Sequence, residues 1–306
     1  DNYKPTPWSS SVWNLPMRLF GHTNSCQIVP ALLTLILLSG CDMDEKFIFF
    51  PTAEVVTTPQ SVGLGYEDIY FTSADGAGLH GWLVPGEAQA PMVLFFHGNA
   101  GNISHRVHNL RLLHQHLGVS VFIIDYRGYG NSTGRPSEAA TYADARGALT
   151  WLIENGWRND QIIYFGRSLG AAVATQLTLE AQPAGLVLES PFTSIAAMGR
   201  RHNPILYTLF GWLLHSSYDT MARIDQINTP LLLLHGTQDR IVPPAMVQQL
   251  FARAEEPKTL HLIEGAGHND TLSHHQHDYW LTWRTFIESV VATDKQSPLR
   301  PQSEAL

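Results

Sequence analysis

The chain has 306 residues, 44% of them hydrophobic, which suits one large α/β domain or two small ones. Its formal net charge is −8 and no block rich in lysine and arginine occurs, so nucleic acid is not expected as a partner. Both cysteines, Cys26 and Cys41, lie in the first 41 residues, and the remaining sequence therefore has neither a disulfide nor a cysteine-based metal site.

The amino-terminal region has the pattern of a bacterial lipoprotein signal. Residues 28–38 form an uncharged apolar run of the length of a signal-peptide core, too short to span a bilayer comfortably. Leu-Ser-Gly-Cys at 38–41 resembles the lipobox, in which cleavage precedes a cysteine that carries the lipid. Asp42 resembles the signal that retains such lipoproteins in the inner membrane. The alternative is a plain signal anchor in which Cys41 is incidental.

These signals divide the chain. Residues 1–41 are interpreted as an upstream extension, with Met17 as a plausible translation start, followed by the signal peptide that ends at Cys41. Residues 47–292 contain no linker or repeat and are predicted to form a single domain. Residues 293–306, rich in Pro, Ser and Gln, are expected to be a disordered tail. We expect the protein to be lipid-anchored in a bacterial cell envelope, at the periplasmic face of the inner membrane.

The first elements of the domain predict an antiparallel hairpin at one edge of a sheet. Residues 66–71 alternate in polarity like a half-buried strand, Asp75-Gly76 is a turn signal, and residues 79–84 return as a second strand.

From residue 92 onward, continuous apolar runs alternate with segments that suit helices. The runs are 92–96, 121–124, 162–165, 186–188, 231–234 and 260–263, and the helical segments are 103–117, 137–155, 169–181, 243–254 and 273–292. Continuous apolar runs indicate strands that are buried on both faces. The sequence therefore predicts an α/β fold with a mostly parallel central sheet and helices on both faces.

Residues 191–229 separate two strands by more than a crossover needs. Apolar side chains between Ile205 and Leu214 recur there at helical spacing. One interpretation is a helix that packs its apolar stripe on the sheet. The other is a small lid or acyl-chain wall beside the site.

The sequence Gly166-Arg167-Ser168-Leu169-Gly170 lies between a predicted strand and an alanine-rich helical segment. This is the context that the G-x-S-x-G motif needs to present a serine on a sharp turn. Side chains at the two glycine positions would collide with the neighbouring strand or helix. Ser168 is therefore the candidate nucleophile. Arg167 is interpreted as a surface or loop-bracing residue.

A serine nucleophile needs a base, and the base needs an acid that orients it. Asp239 follows the run 231–234, and His268 follows the run 260–263 on a glycine-rich loop. The order Ser, Asp, His, each after a buried strand, predicts a catalytic triad.

The oxyanion donors are predicted to be two backbone N–H groups. One belongs to Leu169, directly after the serine, and the other to Asn99 in the loop His-Gly-Asn-Ala-Gly-Asn, 97–102. His97 is interpreted as a structural residue beneath this loop rather than a base.

These motifs, together with Asp-Tyr-Arg-Gly-Tyr-Gly at 125–130 and Gly-His-Asn-Asp at 267–270, resemble the α/β-hydrolase superfamily over roughly residues 62–292. The closer resemblance is to a branch with bacterial envelope-anchored members and eukaryotic relatives that include protein depalmitoylases. The resemblance implies an α/β-hydrolase fold. It also implies serine-hydrolase chemistry on an ester, thioester or amide. Nothing in the sequence forms a separate gating domain, so we expect a small or absent cap.

The predicted function is hydrolysis of carboxylic esters or thioesters through an acyl-enzyme, on a small or lipid-like substrate. A serine peptidase or amidase is the alternative, and a non-catalytic binding protein is a further one. No cofactor is expected. His274 and Asp278 would share a helix face, but two ligands do not make a good metal site, and no metal is predicted.

Overall fold

The computed structural model describes residues 47–294, and an eight-stranded sheet runs through their centre. In this part of the chain the strands are β1 (Phe50–Pro51), β2 (Glu67–Thr72), β3 (Gly78–Val84), β4 (Met92–Phe96), β5 (Ala100–Gly101), β6 (Ser120–Asp125), β7 (Ile162–Arg167), β8 (Gly185–Glu189), β9 (Leu231–Gly236) and β10 (Lys258–Ile263). The α-helices are α1 (Val107–Leu117), α2 (Glu138–Glu154), α3 (Leu169–Glu180), α4 (Ile195–His202), α5 (Pro204–Phe210), α6 (Pro244–Arg253) and α7 (Gln276–Asp294). Short 3-10 helices are formed by Pro59–Val62, Ile103–Arg106, Asn159–Gln161, Gly211–Leu213, Ile224–Gln226 and Thr271–Ser273.

The strand order across the sheet is β10-β9-β8-β7-β4-β6-β3-β2. All pairs from β10 to β6 are parallel, whereas β3 pairs antiparallel with both β6 and β2. The β2–β3 hairpin thus forms one edge, and the predicted α/β fold with its mostly parallel sheet is confirmed. A separate parallel pair of β1 and β5 was not predicted from the sequence.

Helices cover both faces of the sheet, and each face has its own core. Because side chains alternate along a strand, Leu94 of β4 joins one hydrophobic cluster and Val93 joins the other. Helices α2, α3 and α6 pack in the first cluster, and α1 and α7 pack in the second. The continuous apolar runs of the central strands are therefore explained by burial on two sides.

Strand β10 differs from the predicted pattern of a strand that is buried on both faces. Only Ile263 of this strand is fully buried, while Leu262 is 38% exposed. The reason is its position at the sheet edge, beside β9 alone.

The helices begin and end close to the predicted positions, and local signals explain several ends. Ser137 caps α2 by accepting a hydrogen bond from the N–H of Ala140, and Gly118, with φ of 65°, ends α1. Helix α7 continues to Asp294, two residues past the predicted end of the domain.

The predicted signal peptide and lipobox, Cys41 included, lie outside the described residues, as does most of the predicted tail. These expectations stay predictions. Across residues 47–294 no helix is both long enough and apolar enough to cross a bilayer.

Candidate active site

Ser168 occupies a strained turn between β7 and α3. Its φ of 53° and ψ of −115° are values that residues other than glycine rarely adopt. A Cβ at Gly166 would clash with the carbonyl oxygen of Gly170, and a Cβ at Gly170 would clash with the carbonyl oxygen of Phe96 in β4. Close approach of helix and strand therefore requires both glycines, and it places Ser168 at the carboxyl end of the sheet.

The structure brings the three predicted catalytic side chains together. His268 Nε2 lies 3.1 Å from Ser168 Oγ, and His268 Nδ1 lies 2.7 Å from Asp239 Oδ2. With Nδ1–H donating to the Asp239 carboxylate, Nε2 is left to accept the serine proton. The loops after β9 and β10 carry Asp239 and His268, and β10 pairs directly with β9. The geometry is that of a nucleophile, a base and an orienting acid.

The surroundings of Asp239 keep it ionised. Its Oδ1 accepts hydrogen bonds from the backbone N–H groups of Ile241 and Val242, at 2.9 and 2.8 Å. Burial raises the pKa of Asp239, but the hydrogen bond to His268 and the electrostatic interaction with it outweigh burial, and the pKa lies below its ordinary value. A carboxylate in this state can both orient the imidazole and stabilise its charged form.

Leu169 and Asn99, the predicted oxyanion donors, lie at the same place as Ser168, since all three line one cavity. Leu169 is the first residue of α3, where backbone N–H groups have no acceptor within the helix. The Tyr129 hydroxyl donates to the carbonyl of Asn99 at 2.7 Å and thereby fixes the loop that carries it. A Cβ added to Gly98 would lie 3.5 Å from the Cβ of Ser168, so this loop passes directly beside the nucleophile.

His97 lies outside the hydrogen-bonded chain of the three catalytic candidates. Its ring is fully buried, with Nδ1 2.6 Å from the carbonyl oxygen of Gly98. Burial, with a contribution from the nearby Arg106, lowers the pKa of His97 to about 4. His97 is therefore a neutral structural residue under the loop that carries Asn99, the role that the sequence favoured.

Arg167 holds the loop of His268 in place. One guanidinium nitrogen donates to the carbonyl oxygen of His268 at 2.6 Å, and Nε lies 2.9 Å from Glu189 Oε1. Glu189 is buried and also accepts hydrogen bonds from Thr271 and Tyr279, at 2.8 and 2.6 Å. Arg167 is itself buried, so it is a loop-bracing residue and not a surface one.

Glu189 and His235 support the site, and sequence reasoning did not find them. His235 Nε2 lies 2.9 Å from the carbonyl oxygen of Val242 and 3.4 Å from Asp239 Oδ2. Burial lowers the pKa of His235, which keeps it neutral beside the carboxylate. The available signal was positional, because both residues lie at the carboxyl ends of central parallel strands.

A cavity of about 540 Å³ opens beside Ser168, within the size range of small-molecule sites. Its lining is Phe47, Ile48, Phe50, Asn99, Ser168, Leu169, Phe192, Ile195, Met198, Gly199, His202, Asn203, Leu206, Tyr207, Phe210, Gly211, Leu214 and Ile241. No Asp, Glu, Lys or Arg occurs among these described lining residues. The cavity therefore suits an uncharged, apolar group next to the nucleophile.

The interpretation of residues 205–214 as a helix packed on the sheet is wrong. Helices α4 and α5 form a small flap that walls the cavity, and Ile205 is 75% exposed. The apolar side chains that suggested a single buried stripe lie on two sides of the flap. Leu206 and Phe210 line the cavity, whereas Ile205 and Leu209 do not. His202 Nε2 connects the flap to the body of the protein through the carbonyl oxygen of Ile241, at 2.7 Å.

His274 and Asp278 do not share a helix face, because His274 precedes α7 and contacts the carbonyl oxygen of Asp270. No group of three or more His, Cys, Asp or Glu side chains in the described part of the chain has the arrangement of a metal site.

The comparisons with known proteins agree with this geometry. The family model Hydrolase_4, described as serine aminopeptidase, S33, matches residues 87–222 and 200–272. The chain belongs to the α/β-hydrolase superfamily. This α/β hydrolase is 41% identical over 254 residues to an uncharacterized protein of Mycobacterium tuberculosis, with 80% of this chain and 89% of that protein covered. It is 36% identical over 268 residues to the α/β hydrolase domain-containing protein WAV2 of Arabidopsis thaliana, with 80% of this chain and 87% of that protein covered.

Solved structures show the same fold for this α/β hydrolase. The esterase Pf2001 of Pyrococcus furiosus superposes with a TM-score of 0.66 at 22% identity, covering 79% of this chain and 98% of that one. At this level of identity the likeness establishes the fold alone.

Proposed function

We propose that the protein is a serine hydrolase that cleaves carboxylic esters or thioesters through an acyl-enzyme intermediate. The observation that carries the proposal is the hydrogen-bonded chain from Ser168 through His268 to Asp239, beside an uncharged apolar cavity.

In the proposed reaction Ser168 Oγ attacks the acyl carbonyl carbon while His268 Nε2 takes its proton. The backbone N–H groups of Leu169 and Asn99 stabilise the tetrahedral oxyanion. His268 then donates the proton to the leaving alcohol or thiol, and the acyl-serine ester remains. Water, activated by His268, attacks this ester and releases the acid and free Ser168. Every proton is moved by His268, and no cofactor takes part.

A serine peptidase or amidase is the second candidate, and the description of the matching family model as a serine aminopeptidase favours it. An aminopeptidase must hold the charged α-amino group of its substrate, which requires a carboxylate or several acceptors at the site. The described lining of the cavity contains no carboxylate. This observation ranks the ester or thioester reaction first.

Hydrolysis rates test the ranking. We expect the protein to cleave p-nitrophenyl esters of increasing acyl length faster than the p-nitroanilides of single amino acids and short peptides. Faster cleavage of the anilides would reverse the order. If neither series is cleaved by folded protein, the third candidate, a binding protein with a hydrolase fold, takes first place.

We also propose that the protein is a lipoprotein of a bacterial envelope, anchored through Cys41 at the periplasmic face of the inner membrane. The signal-like run and the lipobox-like sequence support this proposal. Mass spectrometry of the mature amino terminus from the native host tests it. A diacylglyceryl-modified Cys41 is expected, and an unmodified Cys41 or an intact Met17 would contradict the proposal.

A further inference from the structure

The outer side of the flap is strongly apolar. Large hydrophobic side chains of α5 and of the following 3-10 helix are exposed to solvent, with Ile205 at 75% and Trp212 at 67%. We define the apolar face as Ile205, Leu206, Leu209, Phe210 and Trp212. Five large apolar side chains within eight residues form a patch that soluble surfaces rarely expose without a binding role.

The apolar face continues into the cavity beside Ser168. Leu206 and Phe210 belong to both, because they are about half exposed and also line the cavity. Phe47 and Phe50 line the same cavity and are 60% and 53% exposed. Two separate segments of the chain thus contribute exposed apolar side chains to the lining of the cavity.

Basic residues border this surface, and acidic residues are missing from its sequence. Residues 191–218 contain Arg200 and Arg201 and no Asp or Glu, although the whole chain has a net charge of −8. Both arginines are exposed, and the guanidinium of Arg200 lies 5.6 Å from the ring centre of Tyr207 in the flap. A combination of leucine, aromatic and basic residues is typical of segments that lie in the interface of an anionic membrane.

The chain enters the described structure at this same surface. Phe47, the first described residue, lines the cavity, and only five residues lie between it and Cys41. When fully extended, the chain from Cys41 to Phe47 spans at most roughly 22 Å. A lipid anchor at Cys41 would therefore hold the mouth of the cavity within that distance of the bilayer.

We propose that the apolar face docks on the surface of a lipid bilayer, so that the acyl chain of a membrane-resident ester or thioester enters the cavity directly from the membrane. The exposed apolar and basic residues support the docking by themselves, whereas the substrate class rests on the proposed function. The side chains of Leu209 and Trp212 enter the boundary between headgroups and acyl chains, and Arg200 and Arg201 contact the phosphates.

Fluorescence at a single labelled position tests the docking. The full chain, with Cys26→Ser and Cys41→Ser, carries Leu209→Cys labelled with an NBD fluorophore, and is mixed with vesicles of phosphatidylethanolamine and phosphatidylglycerol. The matched control is Leu281→Cys, an exposed leucine on α7, which packs on the opposite face of the sheet. We expect a blue shift, and quenching by doxyl-labelled lipid, at position 209 and not at position 281.

Three outcomes would overturn the proposal. The first is that the full chain does not bind the vesicles. The second is that it binds but the label at position 209 remains in water, like the label at position 281. The third is that the label at 209 is already shifted without vesicles and depends on protein concentration, which would mean that a second copy covers the apolar face. The same measurement with Ser168→Ala requires no turnover, so its result is independent of the proposed reaction.

The substrate class needs a second readout. Leu209 does not line the cavity, so Leu209→Glu should leave hydrolysis of a soluble butyrate ester unchanged. It should slow hydrolysis of a long-chain ester embedded in vesicles on the order of tenfold, while Leu281→Glu should not. Equal rates for both variants on the embedded ester would refute entry from the membrane. If the parent cleaves neither ester, the proposed function fails and the labelling result still decides the docking.

Discussion

At Ser168 the backbone adopts a conformation that costs of order 1–3 kcal/mol, and packing around the turn must maintain it. The two flanking glycines allow this packing, because α3 approaches β4 so closely that no side chain fits at Gly170. The position of the nucleophile therefore depends on the absence of two Cβ atoms as much as on the serine.

We expect Gly170→Ala to lower the free energy of unfolding by roughly 2–4 kcal/mol, because its Cβ would collide with the carbonyl oxygen of Phe96. Urea denaturation measures the loss. Gly65→Ala is the matched control, since a Cβ at Gly65 meets no atom within 4 Å. Similar losses for the two variants would contradict the role assigned to close packing at the turn.

His97 gives the stability a defined pH dependence. Burial lowers its pKa to about 4, so between pH 6.5 and pH 4 the unfolded chain binds a proton at His97 that the folded chain does not. Lowering the pH through this window therefore destabilises the folded state. The contribution of His97 to the free energy of unfolding is fully present above pH 6.5, and about 3 kcal/mol of this free energy is lost by pH 4.

His97→Gln removes this titration. We expect the free energy of unfolding of the variant to fall less steeply than that of the parent between pH 6.5 and pH 4, whatever its value at pH 7. Denaturant unfolding at a series of pH values provides both slopes. Parallel slopes would mean that folding does not lower the pKa of His97.

At the scale of elements, a buried ion pair between Arg167 and Glu189 connects the end of β7 to the end of β8. Arg167 and Glu189 are 9% and 1% exposed at their side chains, so each charge depends on the other for compensation. Through its bond to the carbonyl of His268, Arg167 fixes the loop that carries the base. The ends of β7 and β8 are thus joined to the loop that follows β10.

We expect Arg167→Met to lower the free energy of unfolding by about 3–5 kcal/mol, because it leaves the Glu189 carboxylate buried without a counter-charge. Arg146→Met is the control. It breaks an ion pair with Glu180 whose side chains are 41% and 31% exposed, and should cost less than about 1 kcal/mol. Chemical denaturation compares the two. An equally small loss for Arg167→Met would show that the buried pair does not stabilise the fold.

The sequence predicted the sheet well because burial on two faces leaves a direct record in the residue types. Strands β4, β7 and β9 are continuous apolar runs, and Ser168 and Asp239 each follow such a run, whereas His268 follows the partly exposed edge strand β10. The parallel pairing of β9 with β10 then brings the acid and base loops together, so the triad could be proposed before its geometry was known.

The flap could not be predicted in the same way. Apolar residues at helical spacing indicate one buried face, but they do not state what buries it. Part of the apolar stripe of α5 lines the cavity and the rest is exposed to solvent, because the helix lies beside the cavity and does not pack on the sheet. Glu189 and His235 were missed since a single polar residue at the end of an apolar strand has no distinctive pattern.

For the whole molecule, the apolar cavity, the flap and the entry of the chain at Phe47 occupy one side of the carboxyl edge of the sheet. This arrangement separates the apolar cavity from α7 and the core on the opposite face. In the proposed function, this arrangement would present Ser168 to an apolar substrate while the remaining surface stays in water.

The most direct test of an activated serine is labelling of the purified protein with a fluorophosphonate probe, beside Ser168→Ala and His268→Ala. We predict that the parent is labelled and neither variant is, since the probe needs both the hydroxyl and the base that removes its proton. Circular dichroism of all three proteins controls for folding. A folded parent that resists the probe, or a Ser168→Ala variant that still reacts with it, would contradict the proposed mechanism.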